Sequence, residues 1–194
     1  MKNVLWVDCC IRGEESRTLR LSRAFLDALP QDCRVTHLDL MQLQPRYFFG
    51  DYLEERQKLL EQGNLSHPRF DLAHQFAAAD KIVVSAPFWD LSFPALLKVY
   101  IEQVSLDGIT FASTEAGLVG RCRAERMVYL TTRGGFYTGD ELEMGSRYMQ
   151  ALCKFFGIDR YDCVAADGMD VAGFDGEGSL RAAMDKAAEL GRTF

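Results

Sequence analysis

The stretch "VVSAPFWDLSFPALLKVY", residues 83–100, joins a run of apolar residues to a helical pattern. With the residues before it, the run reads "KIVVSAP" (81–87), which is rich in β-branched residues and ends at a proline. Such a run predicts a short strand that is buried on both faces, as in a parallel sheet. From Phe93 onward the apolar residues recur at helical spacing, which predicts an amphipathic helix.

The residues between this strand and this helix form a short loop with unusual chemistry. Ser92 is expected to cap the helix, and Pro94 to lie in its first turn. The loop 88–91 is then placed at the carboxyl end of the strand, with Trp89 next to Asp90.

The same alternation of strand and helix patterns extends over the whole chain. Further strands are predicted at 3–8, 126–132 and 160–166, and the alternating stretch 34–40 predicts a half-covered or edge strand. Helical stripes of apolar residues lie between them and after the last one. Strands that alternate with helices indicate an α/β fold with right-handed crossovers. We therefore predict a doubly wound, flavodoxin-like parallel sheet of five strands in the order 2-1-3-4-5, with helices on both faces.

Length and charge narrow the class of protein. The 194 residues suit one domain, 1–194, and 48% hydrophobic with 26% charged residues is ordinary for a globular protein. The net charge of −6, without a basic stripe, argues against a nucleic-acid or membrane partner. The first residues do not resemble a secretion signal, so we expect a cytoplasmic protein.

The cysteines and histidines carry no metal signature. The six cysteines lack C-x-x-C spacing and are expected to be buried thiols in a reducing compartment. The three histidines have no neighbouring ligands at metal-site spacing, so no metal is expected.

Ligands of open parallel sheets bind at the carboxyl ends of the strands. After the first predicted strand, Ser16 is a candidate helix cap, followed by Arg17 and Thr18 in the first turn. A helix start of this kind suits a phosphate, although on its own it also fits an ordinary capped helix. The absence of both G-x-G-x-x-G and G-K-[ST] favours a monophosphate over a dinucleotide or a nucleoside triphosphate.

The other two strand ends suggest a flat ligand. The fourth predicted strand is followed by "TTRGGF" (131–136), whose paired glycines let a backbone approach a ligand closely or simply form a turn. Trp89 offers an apolar wall for an aromatic ring, or it packs against a loop or a subunit. Together the three ends predict a ligand with a phosphate at one end and a conjugated ring at the other, a shape that flavin mononucleotide (FMN) has.

Two motifs carry a resemblance to a known family: "APFWDLSFPALLKVYIEQVSLDGITF" (86–111) and "TTRGG" (131–135). With these motifs the chain resembles the FMN-dependent NADH:quinone oxidoreductases and azoreductases of the flavodoxin-like superfamily and, more distantly, the larger NAD(P)H:quinone oxidoreductases. The resemblance runs from the first strand to the last helix. It implies an enzyme that takes two electrons from NAD(P)H through FMN to a quinone, azo or similar small aromatic acceptor. It also implies a homodimer, for which segment 45–70 and the aromatic residues after the strand ends are candidate surfaces.

The resemblance also implies which residues bind FMN. The helix start would hold the phosphate, the loop after the third strand would lie along the isoalloxazine ring, and the loop after the fourth would reach its N1 and O2 edge. The residues carried over in this way are Cys10, Ser16, Arg17, Thr18, Pro87, Phe88, Trp89, Asp90, Leu91, Thr132, Arg133, Gly134 and Gly135. Tyr137 is a candidate catalytic residue, as a hydrogen-bond donor to substrate or flavin.

The chain departs from the family pattern at four of these or neighbouring positions. Cys10 replaces a serine and is a poorer hydrogen-bond donor to a phosphate. Glu14 and Glu15 would repel the phosphate unless they point to solvent. Asp90 replaces a common Asn, and its charge is expected to lower the reduction potential of the flavin.

Two other functions remain open at this point. A flavodoxin-like electron carrier would bind FMN and have no substrate of its own. A flavin-free regulatory protein would keep the fold alone, and the four departures leave this alternative open.

Overall fold

A five-stranded parallel sheet forms the centre of the structure, a computed structural model that describes residues 1–194. Its strands are β1 (Lys2–Asp8), β2 (Cys33–Asp39), β3 (Lys81–Ser85), β6 (Arg126–Thr132) and β7 (Arg160–Ala166). Their order is β2-β1-β3-β6-β7, and every neighbouring pair is parallel. The predicted fold class and strand order are therefore confirmed.

Helices cover both faces of the sheet. They are α1 (Arg17–Leu26), α2 (Leu40–Leu43), α3 (Asp51–Glu61), α4 (Asp71–Ala78), α5 (Ala95–Val104), α6 (Met144–Phe156) and α7 (Gly176–Arg192). One core lies between the sheet and α1 with α7, and the other between the sheet and α4, α5 and α6. None of these helices combines the length and apolar character needed to cross a bilayer.

The two cores follow from the alternation of side chains along each strand. In β1, Val4 and Trp6 point to the α1 side, while Leu5 and Val7 point to the α5 side. A strand that buries both faces must be apolar at every position, which explains the continuous apolar runs of the sequence.

The cap expected at Ser16 is confirmed, because its hydroxyl accepts the amide of Leu19 at the start of α1. Gly157 ends α6 in the left-handed conformation, with a φ of 77°, and a 3₁₀ turn, Pro68–Phe70, leads into α4.

The cap expected at Ser92 is wrong. Pro94 is the capping residue of α5, and no side chain caps this helix. Ser92 instead exchanges two backbone hydrogen bonds with Trp89, of 2.8 and 3.2 Å, and so closes a tight turn before the helix. A short hairpin, β4 (Phe111–Thr114) with β5 (Gly117–Gly120), was not predicted either.

Candidate functional site

One long cleft runs along the carboxyl ends of β1, β3, β6 and β7. We distinguish two parts, the α1 end and the open end, which share Phe88, Trp89, Gly134 and Asp170. The α1 end is lined by Arg12, Glu15, Ser16, Arg17, Thr18, Pro87, Phe88, Trp89, Thr132, Arg133, Gly134, Met169 and Asp170. The open end is lined by Phe88, Trp89, Asp90, Leu91, Gly134, Gly135, Tyr137 and Asp170.

The α1 end contains unsatisfied backbone donors. The amide of Leu19 donates to the hydroxyl of Ser16 (3.2 Å), and the amide of Arg20 to the carbonyl of Ser16 (3.2 Å). The amides of Arg17 and Thr18 precede the first intrahelical bond and have no acceptor in α1. With the positive end of the helix dipole, they form a site for an anion.

The hydroxyl of Thr18 is hydrogen-bonded inside the protein and helps to hold the start of α1 in place. It lies 2.7 Å from the hydroxyl of Thr132, and both residues are buried. The Ser22 hydroxyl donates to the Thr18 carbonyl (2.8 Å) and lies 2.7 Å from the Ser85 hydroxyl, which in turn accepts a hydrogen bond from Trp6 Nε1 (2.8 Å). This buried chain of hydrogen bonds fixes the start of α1 against β1, β3 and β6.

The two glutamates before the helix differ in position. Glu14 accepts two hydrogen bonds from Arg23, of 2.5 and 2.7 Å, outside this cleft. These bonds lower the pKa of the Glu14 carboxyl. Only Glu15 lines the α1 end. An anion bound at the α1 end would therefore be repelled by Glu15 and not by Glu14.

Cys10 is buried next to the α1 end and is not part of its lining. It lines a neighbouring cleft together with Asp8 and His37, and its amide donates to Asp8 Oδ1 (2.9 Å). Burial and the nearby Asp8 carboxylate raise the pKa of the Cys10 thiol far above its ordinary value. The structure therefore does not bring the thiol into the cleft with Arg17 and Thr18.

The open end begins with a strained turn. Asp90 and Leu91, between the paired Trp89 and Ser92, have φ values of 46° and 68°. Two-residue turns of this type favour Asn and Gly because other side chains are disfavoured at positive φ. The amides of Asp90 and Leu91 donate to no group of the protein and lie beside the indole of Trp89, which is 46% exposed.

The paired glycines, Gly134 and Gly135, line the open end of the cleft on the side opposite the Trp89 turn; we call these two sides the lips of the cleft. The amides of Gly134 and Gly135 also donate to no group of the protein. A Cβ on Gly134 would stand 2.8 Å from Asp170 Oδ2, and one on Gly135 3.1 Å from the Tyr137 ring. The two glycines leave this part of the cleft open without displacing the side chains of Asp170 and Tyr137, so the backbone can approach a ligand closely.

Arg133 supports this lip from behind. Its side chain is 3% exposed and lies 3.2 Å from Glu143 and 3.3 Å from Asp167. The second oxygen of Asp167 accepts hydrogen bonds from the amides of Tyr137 (3.1 Å) and Thr138 (2.7 Å). The charge of Arg133 is thus committed to two carboxylates, and its side chain fixes the shape of the loop.

Phe88 and Tyr137 join the two lips. The amide of Phe88 donates to the Thr132 carbonyl (3.0 Å), and its ring packs against that of Tyr137 at 4.6 Å between centroids. Tyr137 thereby lies at the open end, next to the turn of Trp89.

Asp170 is a cleft residue that the sequence analysis missed. Its carboxylate binds Arg17 Nη1 at 2.8 Å, and it lines both parts of the cleft. It belongs to "ADGMD" (166–170), which directly follows β7. The rule that ligands bind at strand ends, applied to this fourth end as well, would have found it.

Comparisons with known proteins show the family to which the chain is similar. A model of the flavodoxin-like fold family matches residues 2–190. An FMN-dependent NADH:quinone oxidoreductase of Clostridium perfringens is 36% identical over 199 residues, and a second one of Clostridium acetobutylicum is 37% identical over 202 residues; each alignment covers both chains completely.

Solved structures show the same fold. An azoreductase from Bacillus anthracis superposes with a TM-score of 0.88 at 27% identity, and both chains are covered completely. An FMN-dependent NADH-azoreductase from the same species, solved in complex with FMN, gives a TM-score of 0.86 at 20% identity and covers 100% of this chain and 99% of its own.

Proposed function

Because the chain belongs to the flavodoxin-like family of FMN-dependent NADH:quinone oxidoreductases, we propose that it binds FMN in this cleft. It then passes two electrons from NAD(P)H to a quinone, an azo compound or a similar flat acceptor. These relatives bear that activity in their names and align with this chain over its full length.

The observation that carries the proposal is the distribution of free backbone amides along one cleft. Those of Arg17 and Thr18 lie at the α1 end, where the helix dipole suits a phosphate. Those of Gly134 and Gly135 lie at the lip of the open end, across from the indole of Trp89. Anion donors at one end and donors beside a flat apolar wall at the other fit a flavin monophosphate.

Each part of the chain then has a role. Arg17 and Thr18 hold the phosphate, and the Trp89 turn lies along the ring. The bound flavin supplies the chemistry of hydride acceptance and two-electron transfer. The amides of Gly134 and Gly135 stabilise negative charge at the ring edge, because they are held in place by the loop and need no reorganisation. Tyr137 is placed to donate a hydrogen bond to substrate or flavin.

The experiment that tests this function follows the flavin colour of the FMN-loaded protein. Anaerobic NADH or NADPH should bleach the absorbance near the flavin maximum, and a benzoquinone or an azo dye should restore it. A protein that binds FMN and is reduced by neither nucleotide would be an electron carrier, and the oxidoreductase proposal would be wrong.

The proposal includes a homodimer. Five large apolar side chains near the open end are 39–57% exposed: Leu91, Phe136, Leu142, Met144 and Phe174. Exposed apolar patches of this kind are typical of protein interfaces. Sedimentation equilibrium should give twice the 21.9 kDa chain mass, and a clean monomer at micromolar concentration would contradict the dimer.

The proposal also places the protein in the cytoplasm. All six cysteines are free thiols in the structure, which suits a compartment that keeps thiols reduced. The nucleotide co-substrate belongs to the same compartment.

A further inference from the structure

An ion pair crosses the α1 end of the cleft. Arg17, the first residue of α1, donates from Nη1 to Asp170 Oδ1 at 2.8 Å. Both side chains are partly exposed, 40% for Arg17 and 70% for Asp170. Arg17 is therefore already paired with a carboxylate, which a bound phosphate would have to replace as its partner.

The main chain fixes the position from which Asp170 acts. Its amide donates to the Gly134 carbonyl (3.0 Å), and the amides of Gly168 and Met169 donate to Gly135 (2.9 Å) and Arg133 (3.0 Å). These three bonds do not involve the carboxylate. The side chain can consequently leave Arg17, or be replaced, without loss of the loop.

The charges lining the α1 end are balanced. Arg12 and Arg17 contribute two positive charges, and Glu15 and Asp170 two negative ones. Arg133 also lines this end, but it is paired with two carboxylates, buried Glu143 and partly buried Asp167. Apart from the start of α1, the side chains of the α1 end therefore offer a doubly charged phosphate no net positive charge until Asp170 is removed or displaced.

We infer that Asp170 competes with the phosphate of the flavin for Arg17 and so sets the affinity of this protein for phosphorylated flavins. The inference rests on the proposed function and names a residue that limits it. When the phosphate binds, it takes over Arg17, and the Asp170 carboxylate turns to solvent. The cost of breaking the ion pair and of leaving a carboxylate near the phosphate lowers the affinity for FMN. Riboflavin lacks the phosphate, so it does not experience this cost.

The test is a comparison of FMN and riboflavin binding in wild-type protein and in Asp170→Asn, by quenching of flavin fluorescence. Asparagine is nearly isosteric and keeps all three main-chain bonds. Exposed charge interactions are modest, so FMN should bind roughly three- to tenfold more tightly to the variant. Riboflavin should change less than about twofold, and the gain for FMN should shrink at high salt.

Glu177→Gln is the matched control. Glu177 also pairs with an arginine of α1, Arg20 at 2.9–3.0 Å, but it lines neither part of the cleft. The same change in net charge should therefore alter FMN affinity less than about twofold.

A second variant tests the role of Arg17 independently. Arg17→Gln should weaken FMN binding and leave riboflavin binding unchanged. In the Arg17→Gln background, Asp170→Asn should lose the part of its effect that comes from competition for Arg17 and keep only the part that comes from direct repulsion of the phosphate.

Three results would overturn the inference. Asp170→Asn could bind FMN no more tightly than wild type, it could tighten riboflavin equally, or Glu177→Gln could tighten FMN as much. The proposed function fails in a distinguishable way, because then neither flavin binds to wild-type protein or to any variant.

Discussion

Asp90 adopts a left-handed backbone conformation and also places a negative charge at the open end of the cleft. Its φ of 46° is tolerated by Asp and Asn better than by most residues, because their short side chains bond locally. Asn would satisfy the turn equally well, so the turn alone does not require the charge. The carboxylate lines the open end of the cleft and has no ion-pair partner, which leaves its field to act on a bound ring.

Replacing Asp90 by Asn should therefore raise the midpoint potential of bound FMN. A negative charge beside the ring disfavours the additional negative charge of the reduced form, and the change is expected to be on the order of tens of millivolts. Redox titration of the FMN-loaded protein measures it. Asp185→Asn on α7 removes an exposed charge outside the cleft and should leave the potential unchanged. An unchanged potential in Asp90→Asn would refute the tuning role.

The buried carboxylate of Asp80 is expected to stabilise the folded protein in a way that depends on pH. It is 5% exposed, accepts the Asn3 amide at 2.8 Å, and lies 2.9 Å from Arg123 Nε. The hydrogen bond from Asn3 is the largest cause that lowers the pKa of Asp80, and Arg123 adds to it. Because the folded-state pKa lies below the unfolded one, the carboxylate stabilises the fold above about pH 3.9, and this stabilisation is lost as the pH falls through the folded-state pKa.

Asp80→Asn should lower the free energy of unfolding by about 1 kcal/mol at pH 7. The difference from wild type should shrink as the pH falls from about 4 through the lowered folded-state pKa of Asp80, because protonation removes the contribution of the carboxylate. Urea denaturation at pH 7 and pH 3 checks both statements. A difference that stays constant or grows toward low pH would show that the charge of Asp80 does not stabilise the protein.

At the scale of elements, the sequence predicted what depends on local pattern. The sequence patterns located all five strands of the sheet. Burial on both faces makes the interiors of the central strands β1 and β3 apolar, whereas the largely exposed edge strand β2 was recognised by its alternating pattern. Ser16 marked the start of α1, because helix caps have their own residue preferences. Ser92 misled the analysis, since a serine before a helix fits both a cap and the end of a tight turn.

The unpredicted hairpin has a weak sequence signal. Strands β4 and β5 have four residues each and are largely exposed, so neither shows a buried alternation. Their position depends on a close approach to the end of α6. A Cβ on Gly120 would collide with the backbone of Phe156 and Gly157.

Gly120→Ala should therefore destabilise the protein by about 2–4 kcal/mol, because two backbones would have to separate. Gly63→Ala is the control. Gly63 has a φ of 66° and open space around it, so alanine there meets only the conformational cost of about 1 kcal/mol. Equal destabilisation in the two variants, measured by urea denaturation, would mean that the hairpin does not need this close approach.

At the scale of the whole molecule, the cleft is assembled from four strand ends that are far apart in the sequence. The sheet order brings the loops after β1, β3, β6 and β7 to one edge, and three of these loops were recognised from their residues. Two features could not be read from the sequence. Cys10 lies in a neighbouring cleft because the chain turns at residues 9–13, and Arg133 is buried against carboxylates from distant segments.

The central claim is that this cleft holds FMN, and a flavin titration of the flavin-free protein tests it most directly. The fluorescence of added FMN should be quenched until one FMN is bound per chain. The visible spectrum of the flavin should shift as its ring packs against Trp89. Arg17→Gln should weaken this binding. If FMN is not bound at micromolar concentrations, or binds equally well when the α1 end is altered, the assignment of the cleft is wrong.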